Sequence, residues 1–139
     1  MVQIIAGRKG KGKTKHLLEM VNTSIKDAHG TIVYLDKNTK HMFELSNKVR
    51  LIDVSQYPVG SYEAFLGFIS GIISQDHDLE QMYLDSFLTI AHVEDDMIEG
   101  AINDLNRIGE KYGVTFILSV SKDKQQLPAN AQERVIIES

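Results

Sequence analysis

Short apolar runs alternate with amphipathic helical stretches along almost the whole of this 139-residue chain, and that alternation restricts the fold more than any other feature. Val2–Ala6, Thr31–Asp36, Val49–Val54, Glu80–Leu84, Val114–Val120 and Arg134–Glu138 read as strands. Between them, Thr14–His29 carries Leu17, Leu18, Val21, Ile25 and Ala28 at helical spacing, with Gly30 as the expected stop. A polar stretch over about Thr39–Asn47 also reads as helical. Tyr57-Pro58-Val59-Gly60 is turn chemistry, after which Ser61 caps a helix with Phe65, Ile69 and Ile73 on its apolar face. Asp76-His77-Asp78 is a loop. Glu94-Asp95-Asp96 opens a helix that Gly113 ends, and Ser121–Gln132 reads as a polar loop. Strands this apolar, joined by helices, predict an α/β fold: a mostly parallel sheet covered by helices on both faces. No linker or low-complexity stretch divides residues 1–139, so one domain is expected.

The first strand leads into Gly7-Arg8-Lys9-Gly10-Lys11-Gly12-Lys13-Thr14, which satisfies the G-x-x-x-x-G-K-[ST] pattern at every fixed position. The strand–loop–helix setting gives the pattern its mechanism. Gly7, Gly10 and Gly12 let backbone N–H groups turn inward around a phosphate, and the helix N-terminus adds partial positive charge. Lys13 is expected to reach the β- and γ-phosphates, and the Thr14 hydroxyl to hold Mg²⁺. The expected ligand is ATP or GTP with Mg²⁺.

Charge distribution points the same way. Arg8, Lys9, Lys11, Lys13 and Lys15 cluster around this loop, and without those five the net charge of −4 becomes −9. One basic focus on an acidic body suits a small polyanion better than an extended nucleic-acid track. The outer lysines, Lys9, Lys11 and Lys15, read equally as phosphate contacts or as a solvated rim. The chain lacks cysteine, and its five histidines show no two-His helical spacing, so no metal site beyond Mg²⁺ is expected. No signal peptide or membrane-length apolar run is evident, which favours the cytoplasm.

A nucleotide site of this kind needs a second, strand-end carboxylate near Mg²⁺. Two candidates compete, in an internal echo: Tyr34-Leu35-Asp36 and Tyr83-Leu84-Asp85, both at strand ends. A strand-end Asp also serves simply as a turn former.

From Ile32 to Ile90 the order of elements resembles the ATP-binding core of RecA-type P-loop ATPases. The stretches that carry the resemblance are Val33-Tyr34-Leu35-Asp36, Val49–Ser55, Ser61–Ile73 and Met82-Tyr83-Leu84-Asp85-Ser86. With the glycine-rich loop, it covers about two-thirds of the chain. The resemblance implies a RecA-like fold with Asp85 as the acid near Mg²⁺. It also implies a γ-phosphate-sensing polar residue around Ser119–Ser121, for which Ser121 is the candidate. RecA-type enzymes activate water with a glutamate two residues beyond the second strand's Asp, where this chain has Asn38. Related ATPases place that glutamate directly after the metal-binding Asp, where this chain has Ser86. An amide orients water but cannot accept its proton. Asn38 and Asp36 are therefore candidate catalytic residues beside Lys13, in a protein expected to bind nucleotide well and hydrolyse it weakly or only with a partner. A homo-oligomer or a protein partner is compatible with this reading. Two alternatives stay open: a small-molecule or nucleoside phosphotransferase, with Ser121–Gln132 as a lid, and a non-hydrolysing nucleotide-gated binding module.

Overall fold

A computed structural model describes residues 1–10 and 12–139. The chain is α/β, built on a six-stranded sheet in which every pairing is parallel. Its strands are β1 (Val2–Ala6), β2 (Thr31–Asp36), β3 (Arg50–Asp53), β4 (Leu79–Leu84), β5 (Thr115–Val120) and β6 (Val135–Glu138), in the spatial order β3-β2-β4-β5-β1-β6. The helices are α1 (Lys13–Asp27), α2 (Tyr62–Ser74), α3 (Phe87–Ile90), α4 (Ile98–Tyr112) and α5 (Ala129–Gln132).

Alternate side chains along each strand divide the core between two faces. Ile5, Ile32, Tyr34, Tyr83 and Ile117 meet Leu17, Leu18 and Val21 of α1 on one face. Ile4, Val33, Leu35, Met82, Leu84, Phe116 and Leu118 meet Phe65 and Ile69 of α2 and Ile102 and Leu105 of α4 on the other. Burial on both faces is why the strands read as continuous apolar runs. Since all strands run the same way, Ala6, Asp36, Asp85 and Val120 arrive at one edge of the sheet.

Three local expectations give way to different structure. The Thr39–Asn47 stretch forms only a 3₁₀ turn at Met42–Glu44, with no buried residue in it. Side chains satisfy its backbone instead: Asn38 Oδ1 accepts from Lys40 N, while Asn22 accepts from Ser46 N and donates to Glu44 O. Nor does Gly30 act as a left-handed helix stop. The α1 helix ends at Ala28 in extended conformation, and a Cβ at Gly30 would lie 1.9 Å from Asp78 O. The close approach of the Asp78 loop is what demands glycine there.

Finally, Ser121–Gln132 is packed down, not open. Leu127 and Ala131 are buried, and Asn130 Nδ2 donates to Glu99 O of α4. Asp123 and Gln126 form a reciprocal capping box around a turn at Lys124–Gln126. The segment named as a lid under the phosphotransferase alternative is thus anchored against α4. Among the described residues, no helix is long and apolar enough to cross a membrane.

Candidate functional site

The turn from β1 into α1 is glycine-controlled. Gly10 and Gly12 have φ of 82° and 84°, in the left-handed region where a side chain is strained. Gly12 sits at the N-cap of α1, so the first turn's N–H groups face the cleft with no side chain in front of them. Gly7 N donates back to Val120 O at 3.3 Å, which ties the start of the loop to β5.

A cleft of about 430 Å³ opens at this edge. The loop contributes Lys9, Gly10, Gly12, Lys13 and Thr14; β4 and its sequel contribute Asp85, Ser86 and Thr89; β5 contributes Ser119 and, just beyond it, Ser121; the β2 side contributes Lys37 and His41. Its size is within the range of small-molecule sites. Three lysines against one lining carboxylate make it a place for an anion.

Asp85 is the hub of the cleft. It is buried, and both its oxygens are held. Oδ1 accepts from Ser119 Oγ at 2.8 Å and from Thr14 Oγ1 at 3.3 Å; Oδ2 accepts from Tyr34 OH at 2.8 Å. Ser119 Oγ in turn accepts from Ser86 N at 2.8 Å, so one hydroxyl joins the Ser86 peptide to the carboxylate. Ser86 itself has φ 55°, a left-handed conformation for a residue with a side chain.

Lys13 is also buried, and its Nζ donates to Arg8 O at 2.8 Å. Burial lowers its pKa, and the nearby Asp85 charge offsets part of that shift. Tyr34 is shifted upward by burial first and by Asp85 second, so its phenol keeps its proton and remains a donor. Asp36 is raised to about 6, mainly by burial and then by the Asp85 charge, with the Lys37 N–H opposing.

The expected residues divide sharply. Gly10, Gly12, Lys13, Thr14, Asp85, Lys9 and Ser121 converge on the cleft; Lys11 lies outside the described residues. Gly7 braces the loop without lining the cavity. Lys15 belongs elsewhere: it is exposed on the outer side of α1, beside Glu19 and Asn22, because one residue past Thr14 the helix has turned it away.

Asp36 is buried but not part of the wall, its Oδ1 accepting from Lys37 N at 2.7 Å. Asn38 is exposed, its side chain spent on the Lys40 turn. Neither reaches the position expected of a catalytic residue. In their place the cleft has Lys37, His41 and Thr89. No sequence signal marked these three; the Tyr-Leu-Asp echo bore instead on Tyr34, which holds Asp85. The two copies of the echo pair side by side, Tyr34 with Tyr83, rings stacked at 6.1 Å.

Among the described residues there is no group of three or more His, Cys, Asp or Glu able to hold a metal ion alone. Mg²⁺ does not require one, since it commonly takes one or two protein ligands and completes its shell with phosphates and water. Thr14 and Asp85, 3.3 Å apart, fit that use. No protein-family model matches this chain, and no curated protein matches it.

Proposed function

We propose that this chain binds a nucleoside triphosphate, ATP or GTP, with Mg²⁺ in the Gly10–Asp85 cleft, and that it hydrolyses it slowly or only with a partner. One observation carries the proposal: Thr14 and Asp85, 71 positions apart, meet beside the buried Lys13 at the mouth of a glycine turn. Folding has no evident need to bury a lysine and an aspartate at one sheet edge, whereas the triphosphate pattern needs this set. The all-parallel sheet is consistent with the RecA-like resemblance.

In this reading, N–H groups of the loop and of the first turn of α1 hold the phosphate chain. Lys13 leaves Arg8 O to meet the β- and γ-phosphates, and desolvation makes its charge count for more than it would in water. Thr14 and Asp85 would hold Mg²⁺, which supplies charge neutralisation at the β- and γ-oxygens. Ser119 and Tyr34 keep the Asp85 carboxylate in place. Among the described residues the cleft wall includes no glutamate and no aspartate besides Asp85, and its one imidazole, His41, is engaged with Glu44 Oε2 at 2.6 Å. That supports binding with weak intrinsic turnover.

Calorimetry with ATP and Mg²⁺ tests the proposal. The wild-type chain is expected to bind in the micromolar range or tighter, and Lys13→Ala to lose at least tenfold. Equal affinity in the two proteins removes the proposal.

A phosphotransferase is the second reading, favoured by a specific observation: the cleft shares Lys37 and Thr89 with an adjoining pocket.

A further inference from the structure

The adjoining pocket, about 260 Å³, is bounded by the turn after β3 on one side and by α3 on the other. Val54, Tyr57, Val59 and Ile90 give it an apolar wall, and Lys37, Thr89 and His92 supply polar groups. It is too small for a second nucleotide and sized for a molecule no larger than a nucleoside.

Both walls are built. On the β3 side, Tyr57 N donates to Val54 O and Val59 N to Tyr57 O at 2.8 Å, closing a tight turn around Pro58. The Tyr57 ring packs on Phe68 at 5.4 Å yet keeps half its surface open. On the other side, α3 is bracketed by Ser86 at φ 55° and His92 at φ 54°. These are the two non-glycine residues with positive φ among the described residues, and backbone strain of this kind collects at functional sites. His92 Nε2 is 2.8 Å from Val59 O. A carbonyl only accepts, so Nε2 carries a proton. This bond also ties the two walls together.

The position of the pocket decides its use. In the proposed complex Lys13 meets the β- and γ-phosphates and Thr14 and Asp85 hold the Mg²⁺ beside them; the sheet order places Lys37 beyond them, toward β2, and Thr89 borders both cavities. Lys37 and Thr89 line both cavities, so the phosphate end of the cleft adjoins the second pocket there. We infer that the pocket between Val54–Val59 and α3 is an acceptor subsite for a small ring-bearing alcohol, with its hydroxyl directed past Lys37 and Thr89 at the γ-phosphorus. This inference rests on the nucleotide reading above.

In the step, the acceptor oxygen forms a bond to the γ-phosphorus. The bond from that phosphorus to the β–γ bridging oxygen breaks, and its electron pair leaves with the nucleoside diphosphate. The hydroxyl proton passes to solvent water, and the products are a phosphate monoester, the diphosphate and a proton. A loose phosphoryl transition state places little demand on a base, so positioning suffices. A cleft wall with no glutamate among the described residues is then consistent with a site built for an acceptor other than water.

Benzyl alcohol and uridine probe the two sources of such an alcohol, a simple aromatic and a nucleoside. The full chain, methyl-labelled and saturated with Mg²⁺ and a non-hydrolysable ATP analogue, is titrated with each. At least one is expected to shift the methyls of Val54, Val59 and Ile90, and to leave those of Val21 and Leu105 unmoved. Val59→Trp, which fills the pocket, is expected to weaken that probe at least tenfold. If Val59→Trp loses its folded spectrum, Tyr57→Ala takes its place, with at least a threefold loss expected from removal of the ring face.

With ATP, phosphorus NMR is expected to reveal a phosphate monoester whose formation falls with the same variants. Shifts absent for both probes, shifts that persist in the filled pocket, or inorganic phosphate as the sole product would each overturn the inference. Failure of the wild-type chain to bind ATP at all would instead remove the nucleotide reading, with the methyl shifts still reporting on the pocket by itself.

Discussion

Tyr34 reaches across from β2 to donate its phenol hydrogen to Asp85 Oδ2 at 2.8 Å, leaving Oδ1 to Thr14 and Ser119. A carboxylate held on one side by a neutral donor offers its other oxygen in a fixed direction. Loss of an outer partner of a metal ligand costs metal affinity on the order of tenfold. Tyr34→Phe keeps the ring stacked on Tyr83 and removes only that donor. It is predicted to raise the Mg²⁺ concentration for half-maximal nucleotide binding by about tenfold, with Mg²⁺-free nucleotide affinity unchanged and a stability loss of about 1 kcal/mol. An unaltered Mg²⁺ midpoint by fluorescent-nucleotide titration would leave Tyr34 a purely structural residue.

The two lysines Lys15 and Lys37 exchange the roles that sequence position assigns them. Lys15 adjoins the loop in sequence and faces away; Lys37 lies 23 residues past Thr14 and lines the cleft. In moderate salt, Lys37→Ala is predicted to weaken ATP–Mg²⁺ binding about five- to twentyfold, in line with loss of one charge-assisted contact. Lys15→Ala should stay within twofold. Equal losses for both would mean that the basic cluster acts as a diffuse field.

In the proposed site no carboxylate besides Asp85 lines the cleft among the described residues. Unassisted turnover is predicted on the order of ~10⁻⁴ s⁻¹, the scale of small GTPases without their activators. A steady-state rate near ~10 s⁻¹, the median for enzymes, would contradict it. Asn38→Glu is predicted to change this rate less than twofold, because the side chain is exposed and turned toward Lys40. A large gain would place Asn38 in the cleft after all.

Asp36 makes the stability of the protein depend on pH in an unusual direction. Its folded pKa of about 6 lies above the ordinary 3.8, so between these values the folded chain holds more proton than the unfolded one. Stability therefore falls as pH rises through that window, and the loss persists above it. Asp36→Asn can still accept from Lys37 N and carries no charge. It is predicted to be more stable than wild type by roughly 1–2 kcal/mol at pH 8, after allowance for solvent screening, with the difference fading toward pH 4. Denaturant melts at the two pH values decide this; a pH-independent difference would mean that ionisation is not its cause.

Particular residues show why some of this was legible in sequence and some was not. Strand positions emerged because two-sided burial writes them as runs such as Ile32–Leu35 and Phe116–Leu118, whatever their neighbours do. Thr14 and Asp85 were legible because a phosphate pattern and a strand end each constrain one residue locally. The Tyr34–Asp85 bond was not, since it depends on the β2–β4 register, which no local spacing encodes. The Thr39–Asn47 stretch misled for a related reason: Asn22, on α1, supplies hydrogen bonds that a helix would have made internally. Lys37, His41 and Thr89 carry no motif and become neighbours of the loop only through the strand order.

That strand order also bears on how the chain folds. The β1 and β4 strands, which carry Thr14 and Asp85 to their meeting point, are not neighbours; β5 lies between them and pairs with both. A chain that has emerged only as far as Tyr112 already contains the glycine loop, Lys13, Thr14 and Asp85, yet has no β5 to set them at the right separation. Long-range parallel pairing of this sort is slow, because chain entropy is lost before the contacts that repay it are made. On the proposed reading, competence to bind would arrive late and together with the completed sheet, and nucleotide capture during refolding would serve as a clock for the insertion of the central strand.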